Sequence, residues 1–221
     1  MKMTIHTFGD SHAINGWGND ILQHNLGPML CHTFGAKKLE RFSIRDYNIN
    51  DGDTIIFCLG EIDCRCHIFK HIRSGNTYTQ IIDNIVKSYF ETIKLNVSIC
   101  PAKLKAVCVF NVVPPVQKNE QPVKISAANG WGMSLTQGTP RIQIYETPDF
   151  PFLGSNSERR MYVLYFNKCL KEKCAEYNFI FFDVYEQYID YRGYLRKELS
   201  DDNVHISDGR YITNFISEHL V

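Results

Sequence analysis

Short apolar runs alternate with amphipathic segments along most of this chain. Residues 54–59 and 104–113 are nearly continuous apolar runs of strand length, a pattern typical of strands that are buried on both faces of a parallel sheet. Between them, residues 79–95 carry apolar side chains at helical spacing, which predicts a long amphipathic helix. The pattern therefore predicts parallel strands that are connected by helices.

The same alternation continues towards both ends of the chain. Further strands are predicted at residues 2–8, 21–26 and 179–184, and further helices at residues 29–39, after an N-cap at Ser157, and along the apolar stripe from Tyr211 to Leu220. Gly35 weakens the helix in which it lies, because glycine disfavours a helix interior. We find no internal repeat and no linker between domains, so we predict a single α/β domain over residues 1–221 with helices on both faces of its sheet.

Residues 114–157 break this pattern with many prolines and glycines. An irregular stretch of this length is usually functional or mobile. Within it, residues 129–133 could form a lid in which Trp131 stacks on a sugar or an acyl group. An ordinary surface loop is the alternative.

Composition narrows the classes of function. Lys plus Arg and Asp plus Glu number 24 each, so the basic excess of a nucleic-acid binder is missing. The chain has no run of eighteen apolar residues, so we expect no membrane span, and its first residues lack the apolar core of a signal peptide. We therefore expect a cytoplasmic protein whose eight cysteines are reduced.

Three polar segments follow or precede the predicted elements at places where chemistry is expected. Gly9-Asp10-Ser11 follows the first strand, Gly60-Glu61-Ile62-Asp63 follows the third, and Asp202-Asn203-Val204-His205 precedes the last helix. Ligands of parallel sheets bind at the carboxyl ends of the strands. We expect these three segments to share one rim of the molecule.

The first and last of these segments together resemble the SGNH, or GDSL, hydrolase family, and residues 112–115 look like the end of that family's fourth strand. The resemblance runs from the first strand to the last helix. It implies a three-layer α/β/α fold with a flavodoxin-like, mostly parallel sheet. It also implies ester hydrolysis or acyl transfer on a small ester, with an O-acetylated carbohydrate as the favoured substrate and no metal or organic cofactor.

The resemblance assigns the catalytic roles to Ser11, His205 and Asp202. A serine hydroxyl needs a base to take its proton, and an imidazole with an ordinary pKa near 6.5 can do so at neutral pH. Asp202 would accept the second imidazole N–H and so fix the tautomer and orientation of His205.

The residues expected to donate hydrogen bonds to the oxyanion match the family pattern less closely than the catalytic residues do. By resemblance they are the Ser11 N–H, a glycine N–H after the second strand, and an Asn side chain after the third. Gly27 is the preferred glycine and Gly35 the alternative. Asp63 stands where that Asn is expected, and an ionised carboxylate has no hydrogen to donate. Arg65 could supply the missing donor, or it could pair with Asp63 as a loop clamp or as a site for an anionic substrate.

The sequence also allows functions other than that of an enzyme. With Asp63 marking a lost oxyanion hole, the chain could be a non-catalytic module that binds a glycan or a protein. A nucleotide-binding protein ranks low, since the chain has no phosphate-binding glycine motif. Cys64-x-Cys66-His67 lacks the usual spacing of a zinc site, so we predict no metal. His12 is expected at the rim without a role, and the sequence leaves the oligomeric state open.

Overall fold

The computed structural model describes residues 3–72, 75–118 and 152–221. Its sheet has five strands in the order β2-β1-β3-β4-β5, and every neighbouring pair is parallel. The strands are β1 Ile5–Gly9, β2 Leu22–Asn25, β3 Thr54–Cys58, β4 Ala106–Phe110 and β5 Ile180–Phe182. This arrangement confirms the predicted α/β fold with a parallel sheet.

Helices connect the strands. The α-helices are α1 Cys31–Lys37, α2 Ile68–Ile72, α3 Tyr78–Ile99, α4 Asn156–Tyr177, α5 Tyr185–Tyr188 and α6 Arg210–His219. Shorter turns of 3-10 helix lie at Ser11–Ala13, Lys38–Glu40, Ile44–Asp46 and Lys197–Leu199, and a π-helical turn lies at Asp63–His67. Among the described residues, no helix is long and apolar enough to cross a membrane.

The sheet is covered on both faces. Ile55 and Phe57 of β3 belong to a core cluster that includes apolar residues of α1, α3 and α4. Ile56 and Cys58 belong to a second cluster with apolar residues of α6. Because successive strand residues point to opposite faces, an unbroken apolar run fills both clusters, and a three-layer structure follows.

Helix boundaries differ from the sequence prediction where capping decides them. The Ser155 hydroxyl accepts a hydrogen bond from the Glu158 N–H, and the Glu158 side chain accepts from the Ser155 N–H, so α4 starts two residues before the start that a Ser157 cap would give. This reciprocal capping box satisfies two N–H groups at the helix start, whereas Ser157 lies inside the first turn.

The predicted lid at residues 129–133 lies outside the described residues.

Candidate active site

Close contact between β1 and β3 shapes the turn that carries Ser11. A Cβ atom added to Gly9 would overlap the backbone carbonyl of Cys58. Only glycine therefore fits at the end of β1, and the chain can turn at once into the 3-10 helix that starts at Ser11. Asp10 caps this short helix by accepting the His12 N–H at 2.9 Å.

The two ends of the chain meet at this turn. Nε2 of His205 lies 2.7 Å from Oγ of Ser11, and Nδ1 of the same ring lies 2.6 Å from Oδ2 of Asp201. An ionised carboxylate only accepts hydrogen bonds, so the Nδ1 atom carries the hydrogen and Nε2 is left to accept the serine O–H. This is the tautomer that a general base at Ser11 requires.

The structure corrects the predicted aspartate. Asp202, rather than Asp201, was expected beside the imidazole, but the Asp202 side chain is 74% exposed and lies 3.6 Å from Lys197 Nζ. The backbone of Asp202 has a φ of 62°, in the left-handed region, and this turn points its side chain away from His205. Asp201 instead accepts the backbone N–H groups of Asn203 and His205, at 2.9 and 3.1 Å.

These contacts also set the charge on Asp201. Partial burial by itself raises the pKa of the carboxyl group, but the hydrogen bonds from the His205 ring and from the two backbone N–H groups outweigh burial and lower the pKa of Asp201. Asp201 is therefore ionised at neutral pH, as a partner that orients a base must be.

The two glycines that were considered as oxyanion donors lie in other surroundings. The Gly27 N–H donates to Oδ1 of Asn25 at 2.9 Å, so this hydrogen is already occupied within its own turn. The alternative, Gly35, is buried inside α1, where an added Cβ would lie 2.8 Å from Cβ of Ser88. The close packing of α1 on α3 accounts for this glycine.

Asp63 caps α1 from a distance. Its two carboxylate oxygens accept the N–H groups of Cys31 at 2.6 Å and of His32 at 3.1 Å, at the start of a helix whose own N-cap, Leu30, offers no side-chain acceptor. Burial raises the pKa of Asp63 to about 7, although these two hydrogen bonds oppose the rise. The side chain is an acceptor in a structural contact, which is the opposite of an oxyanion donor.

Arg65 does not form the proposed pair with Asp63. Its Nε lies 2.8 Å from Oε1 of Glu61, one helical turn earlier, and its guanidinium lies 5.1 Å from the ring centroid of Phe152. Glu61, for which the sequence predicted no role, is buried and lines two small cavities. One of these cavities is also lined by Asp10 and His12.

His12 was expected at the rim without a role, yet its side chain is only 6% exposed. Its Nδ1 lies 2.9 Å from Oδ1 of Asp10, and its Nε2 lies 3.2 Å from the carbonyl oxygen of Val204. Burial alone would lower the pKa of His12, but the charge and hydrogen bond of Asp10, together with Glu61, raise it to about 9. The sequence pointed to the pair of His12 and Asp10 only through their spacing of two residues.

The cysteines near the site are poor nucleophiles. Cys64 is buried, and burial raises the pKa of Cys66 to about 12, so neither thiol ionises near neutral pH. All eight cysteines of the chain are free. Among the described residues, no group of three or more His, Cys, Asp and Glu side chains is arranged to hold a metal ion.

Comparison with known proteins gives matches to solved structures. No protein-family model matches the chain, and no curated protein matches it. A GDSL-like lipase from Bacteroides thetaiotaomicron is 12% identical over 97% of this chain and 86% of that chain, with a TM-score of 0.56. A carbohydrate acetylesterase from Sinorhizobium meliloti is 13% identical over 98% and 99% of the two chains, with a TM-score of 0.53. An aryl esterase from M. smegmatis is 12% identical over 99% and 100%, with a TM-score of 0.57.

At these identities the likeness establishes the fold. The parallel sheet, the helices on both faces and the turn after β1 define a three-layer α/β/α protein. More narrowly, the fold is that of the SGNH, or GDSL, hydrolases. The fold prediction made from the sequence is confirmed at this level.

Proposed function

We propose that this protein is a serine-dependent ester hydrolase or acyltransferase in which Ser11 is the nucleophile, His205 is the general base and Asp201 orients the base. The observation that carries the proposal is the 2.7 Å contact between Oγ of Ser11 and Nε2 of His205. This distance is within hydrogen-bond reach, so the imidazole can take the serine proton as Oγ attacks an ester carbonyl.

The proposed reaction has two stages. In the first, Ser11 Oγ bonds to the acyl carbon, the serine proton passes to His205 and then to the departing alcohol, and an acyl-enzyme remains. In the second, His205 takes a proton from water or from an acceptor hydroxyl as the oxygen of that group attacks the acyl carbon. His205 then gives the proton to Oγ of Ser11 as the bond between Oγ and the acyl carbon breaks, and the free acid or the new ester leaves. The backbone N–H of Ser11, the first residue of its 3-10 helix, is the proposed donor to the oxyanion.

A small ester is the proposed substrate, with an O-acetylated carbohydrate as the favoured class. The names of two matched structures support this choice, since one is a carbohydrate acetylesterase and another is an acetylxylan esterase from Geobacillus stearothermophilus. The assembled Ser11–His205–Asp201 contacts argue against a module that has lost catalysis, because a binding module has no need of this tautomer and alignment.

Reaction with a fluorophosphonate probe tests the proposal. We expect the wild-type protein to be labelled and Ser11→Ala to lose all labelling. Ser98→Ala is the matched control, because Ser98 is exposed on α3 and its hydroxyl donates only to the carbonyl of Leu95. An unlabelled wild type, or equal labelling of Ser11→Ala, would overturn the proposed function.

Hydrolysis and transfer are separated by a second measurement. Release of p-nitrophenol from p-nitrophenyl acetate reports acylation, and added alcohols or sugars compete with water for the acyl-enzyme. A rise in acylated sugar at constant p-nitrophenol release would identify a transferase. Free acetate as the sole acyl product would identify a hydrolase.

A further inference from the structure

Two contacts join the N-terminal turn to the loop that carries the base. One is the Ser11–His205 hydrogen bond, and the other is the contact between Nε2 of His12 and the carbonyl oxygen of Val204, the residue just before His205. The proposed reaction uses the first contact only. The second is made by a buried, titratable side chain that the reaction leaves without a role.

The hydrogen-bond partners of His12 define its charge. Nδ1 faces a carboxylate oxygen of Asp10 at 2.9 Å, and Nε2 faces a backbone carbonyl at 3.2 Å. Both partners, a carboxylate oxygen and a carbonyl oxygen, accept hydrogen bonds. Only the imidazolium carries hydrogens on both nitrogens, so only the charged ring satisfies both contacts.

His12 also lies directly beside the base. The ring centroids of His12 and His205 are 4.9 Å apart, with an angle of 51° between the ring planes. The carboxylates of Asp10 and Glu61 face His12 from its own turn and from the segment after β3, whereas Asp201 contacts Nδ1 of His205. Because Glu61 is paired with Arg65, a positive charge at His12 offsets chiefly the Asp10 carboxylate, and it disfavours a second positive charge on the adjacent His205 ring.

We propose that His12 is a positioning residue for the Ser11–His205 pair: as an imidazolium, it holds the Val204 carbonyl against the serine turn and keeps His205 in its neutral, basic form. This inference rests on the proposed function for its catalytic meaning. Its structural part, the charge of His12 and the coupling of the two rings, can be measured without any substrate.

Nitrogen-15 NMR of the histidine rings provides that measurement in the wild-type protein. At pH 7.5 we expect the His12 ring to be protonated on both nitrogens, and we expect His12→Gln to remove these signals. The His205 signals should show a second inflection when His12 loses its proton, at a pH of about 9. A neutral His12 at pH 7.5, or no second inflection, would overturn the inference even if His12→Gln fails to fold.

The variant adds a second readout. In His12→Gln, the Asp10 carboxylate loses its compensating charge, so the NMR titration midpoint of His205 and the acidic limb of kcat/KM should both move to higher pH. We also expect the plateau of kcat/KM to fall about tenfold, because the loop loses its anchor. His219→Gln is the matched control, since His219 is an exposed histidine at the end of α6.

The outcomes separate the two proposals. Loss of activity without movement of the His205 midpoint would mean that His12 has only a structural role, and the inference would be wrong while the proposed function stands. A wild type without esterase activity or fluorophosphonate labelling would overturn the proposed function. In that case the His205 midpoint in His12→Gln would still decide the coupling of the two rings.

Discussion

Two adjacent aspartates allow a sharp test of the proposed machinery. Asp201 lies 2.6 Å from Nδ1 of His205, whereas Asp202 points into solvent. Asn has nearly the shape of Asp but no charge, and its amide can donate a hydrogen bond where the carboxylate accepts one. We therefore expect Asp201→Asn to disable the base and Asp202→Asn to leave it intact.

The size of the effect follows from the geometry. A unit charge pair at 2.6 Å interacts by about 1.6 kcal/mol with the dielectric constant of water and by about 6 kcal/mol at an effective value of 20. Because the Asp201 side chain is 35% exposed, solvent screens the pair and we take an intermediate value of about 2–4 kcal/mol. This corresponds to a loss of about 30- to 1,000-fold in kcat/KM.

Asp202→Asn serves as the matched control. It removes only an exposed contact to Lys197 at 3.6 Å, and such contacts contribute about 0–1 kcal/mol to stability. We expect kcat/KM for p-nitrophenyl acetate to stay within about twofold of wild type. Thermal unfolding of both variants checks that the fold is intact. If Asp202→Asn loses as much activity as Asp201→Asn, our assignment of the orienting carboxylate is refuted.

Three further predictions concern stability and reactivity. Gly35→Ala should destabilise the protein by about 1–3 kcal/mol in urea unfolding, despite the better helix propensity of Ala, because the new Cβ meets Ser88 at 2.8 Å; a stabilised variant would contradict this. Asp63 has a pKa of about 7 in the folded protein, above its value of about 4 in the unfolded chain. Between these two pH values, the folded state binds a proton that the unfolded state has released. The unfolding free energy should therefore fall as pH rises through this window, and Asp63→Asn should lose this dependence; equal slopes would contradict it. Iodoacetamide should modify Cys66 slowly in the folded protein at pH 8 and rapidly in urea, since its pKa is about 12 when folded; equal rates would contradict this.

The fold could be predicted from the sequence because burial on both faces leaves a strong local pattern. The run at residues 54–59 needs no polar alternation, since Ile55 and Ile56 of β3 both lie in a core, on opposite faces of the sheet. The Gly9-Asp10-Ser11 turn could also be predicted from the sequence, because Gly9 approaches Cys58 so closely that only glycine fits there. Local packing demands of this kind restrict residue types directly.

The orienting aspartate could not be chosen by spacing alone. Asp201 and Asp202 precede His205 by four and three residues, and either could reach the ring in some turn. In the turn that the chain adopts, the backbone of Asp202 is left-handed, and Asp201 is the aspartate that contacts the ring. The tendency of Asp side chains to accept N–H groups two residues later does not separate the two aspartates, since each has such an N–H group; in the structure, Asp201 accepts that of Asn203.

The same turn chemistry accounts for the hydrogen bond at Gly27. Asn25 lies two residues before Gly27, and its side chain accepts the Gly27 N–H. Asn side chains favour such turns, so the Asn-x-Gly spacing indicates a self-contained turn rather than a free donor. Asp63 could not have been understood locally, because its partners, the N–H groups of Cys31 and His32, lie more than thirty residues earlier.

The proposed active site is a product of the whole fold rather than of any one motif. The base loop is held by contacts that span nearly the full chain, with Ser11 and His205 separated by 194 residues and His12 and Val204 by 192. Behind the loop, the ring of Phe215 on α6 stacks on Phe182 of β5 with ring centroids 4.0 Å apart. The last helix thus anchors the loop to the sheet, and the sheet fixes the serine turn. Each motif alone is short and common, whereas their meeting requires the parallel strand order that brings β1, β3 and the last loop to one edge.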